Sequence, residues 1–276
     1  RCGRADYVVM ESTYGGVTRE RHGSEPVEIH EEFGLTVGRA LERGGDVLIP
    51  AFTLGRTQEV MAAIELFRRE GIIPSRTLVY VDSPTARRIT DVYRVHVDEL
   101  SEAARNLFAG NVLEYQALRE VRSRRSLAVH GRKHSPSIFI SSSGNMDYAN
   151  SPRHLSRMYG ERLNLCCIVG YQAPGSTGAR LLSGEFPLLI RYREGRETRK
   201  EWITPLLEVE AFESFSGHAD QKGLIDWLGG IEGVRRVFLV HGEEERSKML
   251  AESIEEELGI MTSVPRRGES HTIRFR

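Results

Sequence analysis

The sequence is poor in cysteine, has no long apolar run and carries almost no net charge. Its three cysteines, Cys2, Cys166 and Cys167, form no CxxC pair. Two of them are adjacent, so no disulfide framework can be read and a reducing, cytoplasmic setting is expected. The longest apolar stretches, such as Leu165 to Val169, are far too short to span a bilayer, so no membrane partner is expected. No signal-peptide pattern opens the chain. It starts at Arg1, not Met, and Asp6 to Glu11 already reads as strand, so a piece of something longer is expected. A net charge of −1 excludes a global positive field, and any nucleic-acid site must be a local basic patch. The histidines offer no HxH pair. His130 and His134 are four apart, but Gly131 and Pro136 argue against a helix there, and solvated loop positions are expected.

What is present is 276 residues, 39% hydrophobic and 28% charged, enough to bury one large or two ordinary cores. Tyr7 to Met10 is a short apolar run that ends in the polar Glu11-Ser12-Thr13-Tyr14-Gly15-Gly16. Pro26 to Arg43 has helical spacing stopped by Gly44-Gly45. A strand over Asp46 to Pro50, a helix over Gly55 to Glu70, a strand over Thr77 to Val81 and a helix beginning at Asp82-Ser83-Pro84 follow. This βαβα alternation predicts a mostly parallel sheet flanked by helices. Ser137 to Ile140 and Leu165 to Gly170 read as further buried strands. Around Glu194-Gly195-Arg196 the spacing predicts a β-hairpin. A strand near Leu206 to Phe212, a helix over Gln221 to Leu228, a strand over Arg236 to Val240 and a Glu-rich, solvated helix over Glu244 to Leu258 complete the chain.

Five of these strands end in polar or glycine-rich turns: Glu11-Ser12-Thr13, Asp82-Ser83-Pro84, Ser141-Ser142-Ser143-Gly144, Ser216-Gly217-His218 and His241-Gly242-Glu243. One such turn is ordinary turn chemistry. Five together favour a ligand site at the carboxyl ends of the strands, where hydroxyls and free N–H groups suit phosphate. In Ser216-Gly217-His218-Ala219-Asp220, His218 suits proton transfer near neutral pH, and a structural role stands beside that reading. Asp220 suits a helix N-cap. His241 ends a buried strand, where it suits either a metal ligand or a capped turn. The basic cluster Arg119, Arg122, Arg124, Arg125, Arg132 and Lys133 suits either a phosphate backbone or a solvated helix face.

In order, these motifs resemble the β-CASP branch of the metallo-β-lactamase superfamily, which includes the cleavage and polyadenylation endonuclease subunit and ribonuclease J. Glu11-Ser12-Thr13-Tyr14-Gly15 resembles motif A. Ile49-Pro50-Ala51-Phe52-Thr53-Leu54-Gly55-Arg56-Thr57-Gln58-Glu59, Asp82-Ser83-Pro84 and Gly170-Tyr171-Gln172 resemble landmarks of the inserted domain. Phe215 to Asp220 resembles motif B, and Val240-His241-Gly242-Glu243 resembles motif C. The resemblance implies an α/β fold: an inserted β-CASP domain with a mostly parallel sheet flanked by helices, plus an incomplete metallo-β-lactamase αββα sandwich. It implies boundaries of 1–19 and 205–276 for the metallo-β-lactamase segments, with 20–204 between them.

It also implies zinc-dependent hydrolysis of RNA at a site of two ions. His241 would be one zinc ligand, His218 would protonate the leaving oxygen with Glu11 orienting it, and Ser216, Ser142 and Ser143 would hold phosphate. A histidine at the motif C position favours RNA over DNA. Two departures stand. The HxHxDH zinc motif is absent from the sequence, and Ser143-Gly144-Asn145-Met146-Asp147-Tyr148 differs from the family's usual Gly-Met loop. This chain alone is therefore expected to be inert. A homodimer, or a partner chain supplying the missing metal ligands, are the associations considered. The alternative readings are a non-catalytic RNA-binding scaffold subunit and one half of a split nuclease.

Overall fold

The computed structural model describes residues 3–18, 26–102, 104–105 and 136–273. The basic cluster at 119–133, His130 and His134 lie outside these residues. The chain divides into two units, Arg1–Arg21 with Gly217–Arg276, and His22–Ser216.

The larger unit is built on a parallel sheet of β2 (Val47–Pro50), β3 (Leu78–Asp82), β4 (Ser137–Ser141), β5 (Leu165–Ile168) and β8 (Glu208–Ala211), in the order β3-β4-β2-β5-β8. Its central strands are apolar because both faces are covered. Alternation along each strand sends Val47, Ile49, Val79, Val81, Ile138, Ile140, Leu165 and Cys167 into one core. Leu48, Tyr80, Phe139, Cys166 and Ile168 go into the other. The first core receives α2 (Glu31–Glu42) and α3 (Arg56–Arg69) through Phe33, Val37, Ile64 and Phe67. The second receives α5 (Ser151–Met158), α6 (Thr177–Ser183) and the antiparallel hairpin of β6 (Leu188–Glu194) and β7 (Glu197–Ile203). Adjacent on β5, Cys166 and Cys167 point into opposite cores, so they cannot bond to each other. Burial pushes the Cys166 thiol up to about 12 and holds Cys167 well above its ordinary value.

The helix expected over Pro26 to Arg43 is two, α1 (Pro26–Ile29) and α2. His30 breaks it with φ −110 and ψ 14. Its ring stacks on Phe215 at 4.3 Å, and its Nδ1 lies 3.0 Å from Ser214 Oγ. Helix α4 (Pro84–Val95) starts where expected, with Ser83 Oγ accepting from Ala86 N. Strand β8 lies past residue 204 yet pairs with β5, so this unit runs on to Ser216.

The smaller unit is a parallel three-stranded sheet, β1 (Tyr7–Glu11), β9 (Arg236–Val240) and β10 (Met261–Ser263), in the order β1-β9-β10. Val8, Met10, Val237 and Leu239 pack against α7 (Gln221–Gly229) and α8 (Glu244–Leu258) through Leu224, Leu228, Leu250 and Ile254. Pairing is in register from Tyr7↔Arg236 to Glu11↔Val240, so motifs A and C leave the sheet side by side. Among the described residues, no helix is long and apolar enough to cross a membrane.

Candidate metal and proton-transfer site

The site grows from the carboxyl ends of β1 and β9. Fully buried Ser12 fastens them: its hydroxyl donates to Val240 O at 2.9 Å and lies 2.8 Å from Ser247 Oγ on α8. Gly242 has to be glycine here, because a Cβ would come within 2.4 Å of Ser12 Oγ and 2.6 Å of its carbonyl oxygen. Gly15 is equally constrained, its Cβ position lying 2.0 Å from the Arg246 carbonyl oxygen. Between strand end and glycine, His241 adopts a left-handed backbone with φ 54. Such strain in a non-glycine residue persists only where its surroundings enforce it.

Thr13 supplies that enforcement. Its hydroxyl donates its one proton to His241 O at 2.9 Å. The same oxygen lies 3.2 Å from His241 Nδ1 and 3.4 Å from His218 Nδ1. In the tautomer with its proton on Nδ1, donating to Thr13 Oγ1, His241 would present the Nε2 lone pair, the form in which imidazole binds metal.

Glu11, at the end of β1, has Oε2 2.8 Å from His218 Nδ1 and accepts the Thr13 backbone N–H at 3.2 Å. Burial pushes the Glu11 carboxyl up. Hydrogen bonds from Thr13 and His218, with the His218 charge, outweigh this and hold it below its ordinary 4.5. A carboxylate on Nδ1–H fixes the tautomer, so proton exchange with a ligand belongs to His218 Nε2. Asp220 caps α7, its Oδ1 accepting from Gly223 N at 2.9 Å, which sets the start of the helix just after His218. The rings of His218 and His241 are 5.2 Å apart.

The structure thus brings three of the sequence-predicted residues together: ligand atoms of Glu11, His218 and His241 all lie within 4.8 Å of one another. Within the trio Glu11 Oε2 is engaged by His218 Nδ1 at 2.8 Å, and a zinc ion takes three or four protein ligands. Ser142, Ser143 and Ser216 belong to the other unit. Ser142 is half-buried at the end of β4, and Ser216 is half-buried after β8. Ser143 is 2% exposed, and its hydroxyl donates to Tyr148 O at 3.3 Å within its own turn.

Two residues within the strand-end turns had no individual role assigned from sequence. Thr13 lay inside motif A, in one of the five turns expected to serve a ligand. Asp82, at the end of β3, accepts from Arg153 at 2.9 Å, His154 Nε2 at 2.8 Å and Asn150 Nδ2 at 3.1 Å. Burial pushes Asp82 up, but His154 and Arg153 outweigh it and hold it low. Burial pushes His154 down, so it is a neutral donor and Arg153 is the counter-ion.

Comparison with known proteins bears on this geometry. The family model described as the Beta-Casp domain matches residues 57–181. The one described as the Zn-dependent metallo-hydrolase RNA specificity domain matches residues 206–265. Transcription termination factor FttA of Pyrococcus abyssi is 31% identical over 99% of this chain, which spans 41% of that protein. Integrator complex subunit 11 of Danio rerio is 29% identical over 98% of this chain, which spans 42% of it. The chain is therefore about two fifths of the length of the curated relatives it matches.

Proposed function

The chain belongs to the β-CASP family of metallo-β-lactamase-fold RNA nucleases, and from that premise we propose that it carries the proton-donating and substrate-holding part of a zinc-dependent ribonuclease. The observation that carries the reading is the Glu11–His218 contact of 2.8 Å with His241 beside it. His218 Nε2–H donates to the oxygen that leaves when the phosphodiester breaks. Glu11 holds the ring through its contact with Nδ1. Preorganised groups of this kind contribute roughly 10²–10⁴-fold.

When bound, zinc would supply Lewis-acid stabilisation of the phosphate and water of lowered pKa. His241 would hold one ion through Nε2. Any further ligands of a zinc site would come from outside Glu11, His218 and His241. Ser142 and Ser216 hold substrate phosphate. The 276 residues alone bind zinc weakly and do not cleave RNA, because one imidazole cannot make a two-ion site.

Purification of the chain, zinc titration and incubation with a labelled single-stranded RNA test this. The expected result is no cleavage and at most one weakly held ion, lost on His241→Ala. Zinc-dependent, chelator-sensitive cleavage by the chain itself would overturn it.

A further inference from the structure

The β6–β7 hairpin presents two unlike faces. One is part of the core: Leu188, Ile190, Tyr192 and Ile203 are buried there. Pairing is Leu189↔Trp202, Arg191↔Lys200 and Arg193↔Thr198, so the opposite face carries Arg191, Arg193, Lys200 and Trp202 together. The three cations are exposed, and Trp202 is 63% exposed.

Nothing in the fold accounts for this arrangement. Like charges directly opposite on paired strands are destabilising, and Arg191 stands directly opposite Lys200. Among the described residues, none of the three cations makes an ion pair. The acids of the ribbon are engaged elsewhere: Glu194 and Glu197 by Arg199, and Glu201 by the hydroxyls of Tyr192 and Tyr159. An indole left in water beside uncompensated positive charge suits a ligand that brings both negative charge and flat aromatic faces.

We propose that the outward face of the β6–β7 ribbon, Arg191, Arg193 and Lys200 around Trp202, docks single-stranded RNA. Phosphates relieve the Arg191–Lys200 repulsion, and a base stacks on Trp202. A duplex hides its base faces in its own stack, so an unpaired strand fits better. An acidic polypeptide would satisfy the cations and leave the indole unused. The assignment rests on the RNA reading above for the identity of the polyanion, but it concerns equilibrium binding and not cleavage.

The test is fluorescence anisotropy of a labelled 12-nucleotide oligouridylate with the full chain, in chelator so that no cleavage enters. Arg191→Glu with Lys200→Glu is expected to weaken binding at least about tenfold, and the milder R191Q/K200Q pair to flatten its salt dependence by about 0.7 per lost phosphate contact. Trp202→Ala is expected to weaken it about fivefold or more with the salt dependence unchanged. Thermal melts by circular dichroism establish that each variant folds. The proposal is overturned if the folded variants bind as tightly as the parent. It is also overturned if polyglutamate displaces the RNA as effectively as unlabelled oligouridylate does while W202A binds normally, which would make the ribbon a protein-docking face. Neither result bears on the Glu11–His218 cleavage reading.

Discussion

The Thr13 hydroxyl donates to the His241 carbonyl oxygen at 2.9 Å and lies 3.2 Å from His241 Nδ1 and 3.4 Å from His218 Nδ1. Thr13→Val removes these contacts and releases the strained turn, whereas Thr13→Ser keeps them. The valine variant is expected to lose about 1–2 kcal/mol in urea unfolding and to bind zinc more weakly, with the serine variant close to the parent. Glu11 makes a different prediction. Its carboxyl is held below 4.5, so its contribution to stability is present above that pH and is lost as pH falls through its lowered value. His30 acts in a higher window. Burial first, and then Arg56, lower it from 6.5 to about 4, so the unfolded chain takes up a proton there that the folded chain does not. Stability should fall as pH drops from 6.5 towards 4, by on the order of 2–3 kcal/mol, and His30→Gln should flatten that part of the melting profile. The meeting of Glu11, His218 and His241 in space was legible in the sequence because strand ends and an ordered set of motifs announced it. Thr13 was not, since a threonine in a turn carries no signal until its neighbours in space are known.

Between elements, the joints matter more than the strands. Asp82 ties the end of β3 to the start of α5 through Arg153 and His154, the latter 2% exposed. Asp82→Asn leaves Arg153 without its counter-ion and is expected to cost about 3 kcal/mol in chemical denaturation. Gly242→Ala drives a methyl into Ser12 at the β1–β9 joint and is expected to cost about 1–3 kcal/mol by the same measurement. The strands β2 to β5 were readable because strands covered on both faces are apolar throughout. Strand β9 and helix α8 matched residue for residue. Helices α5 and α6 were not read. Each is a short helix of eight or seven residues, and in α5 the polar His154 sits in the buried stripe, which erases the apolar period. The single helix expected over residues 26–43 failed for a reason outside its own sequence: Phe215 and Ser214 engage His30 and break it.

At the scale of the molecule, the chain is two units interleaved in sequence. Contacts place the junction at Gly217, whereas the metallo-hydrolase family model begins at residue 206. The difference is β8, which the family counts with the second segment and the hydrogen bonds place beside β5. That separation was invisible in the sequence because strand pairing between distant segments leaves no local pattern. The proposed chemistry is that His218, held by Glu11, protonates the leaving oxygen of an RNA phosphodiester. The most direct measurement uses the zinc-loaded enzyme containing these residues and two RNAs that differ only at the scissile linkage, oxygen or sulfur at the bridging 3′ position. A sulfur leaving group needs no proton. His218→Ala is expected to slow cleavage of the oxygen substrate by roughly 10²–10⁴-fold and of the sulfur substrate by less than about tenfold. Equal slowing of both would contradict the assignment of His218 as the proton donor.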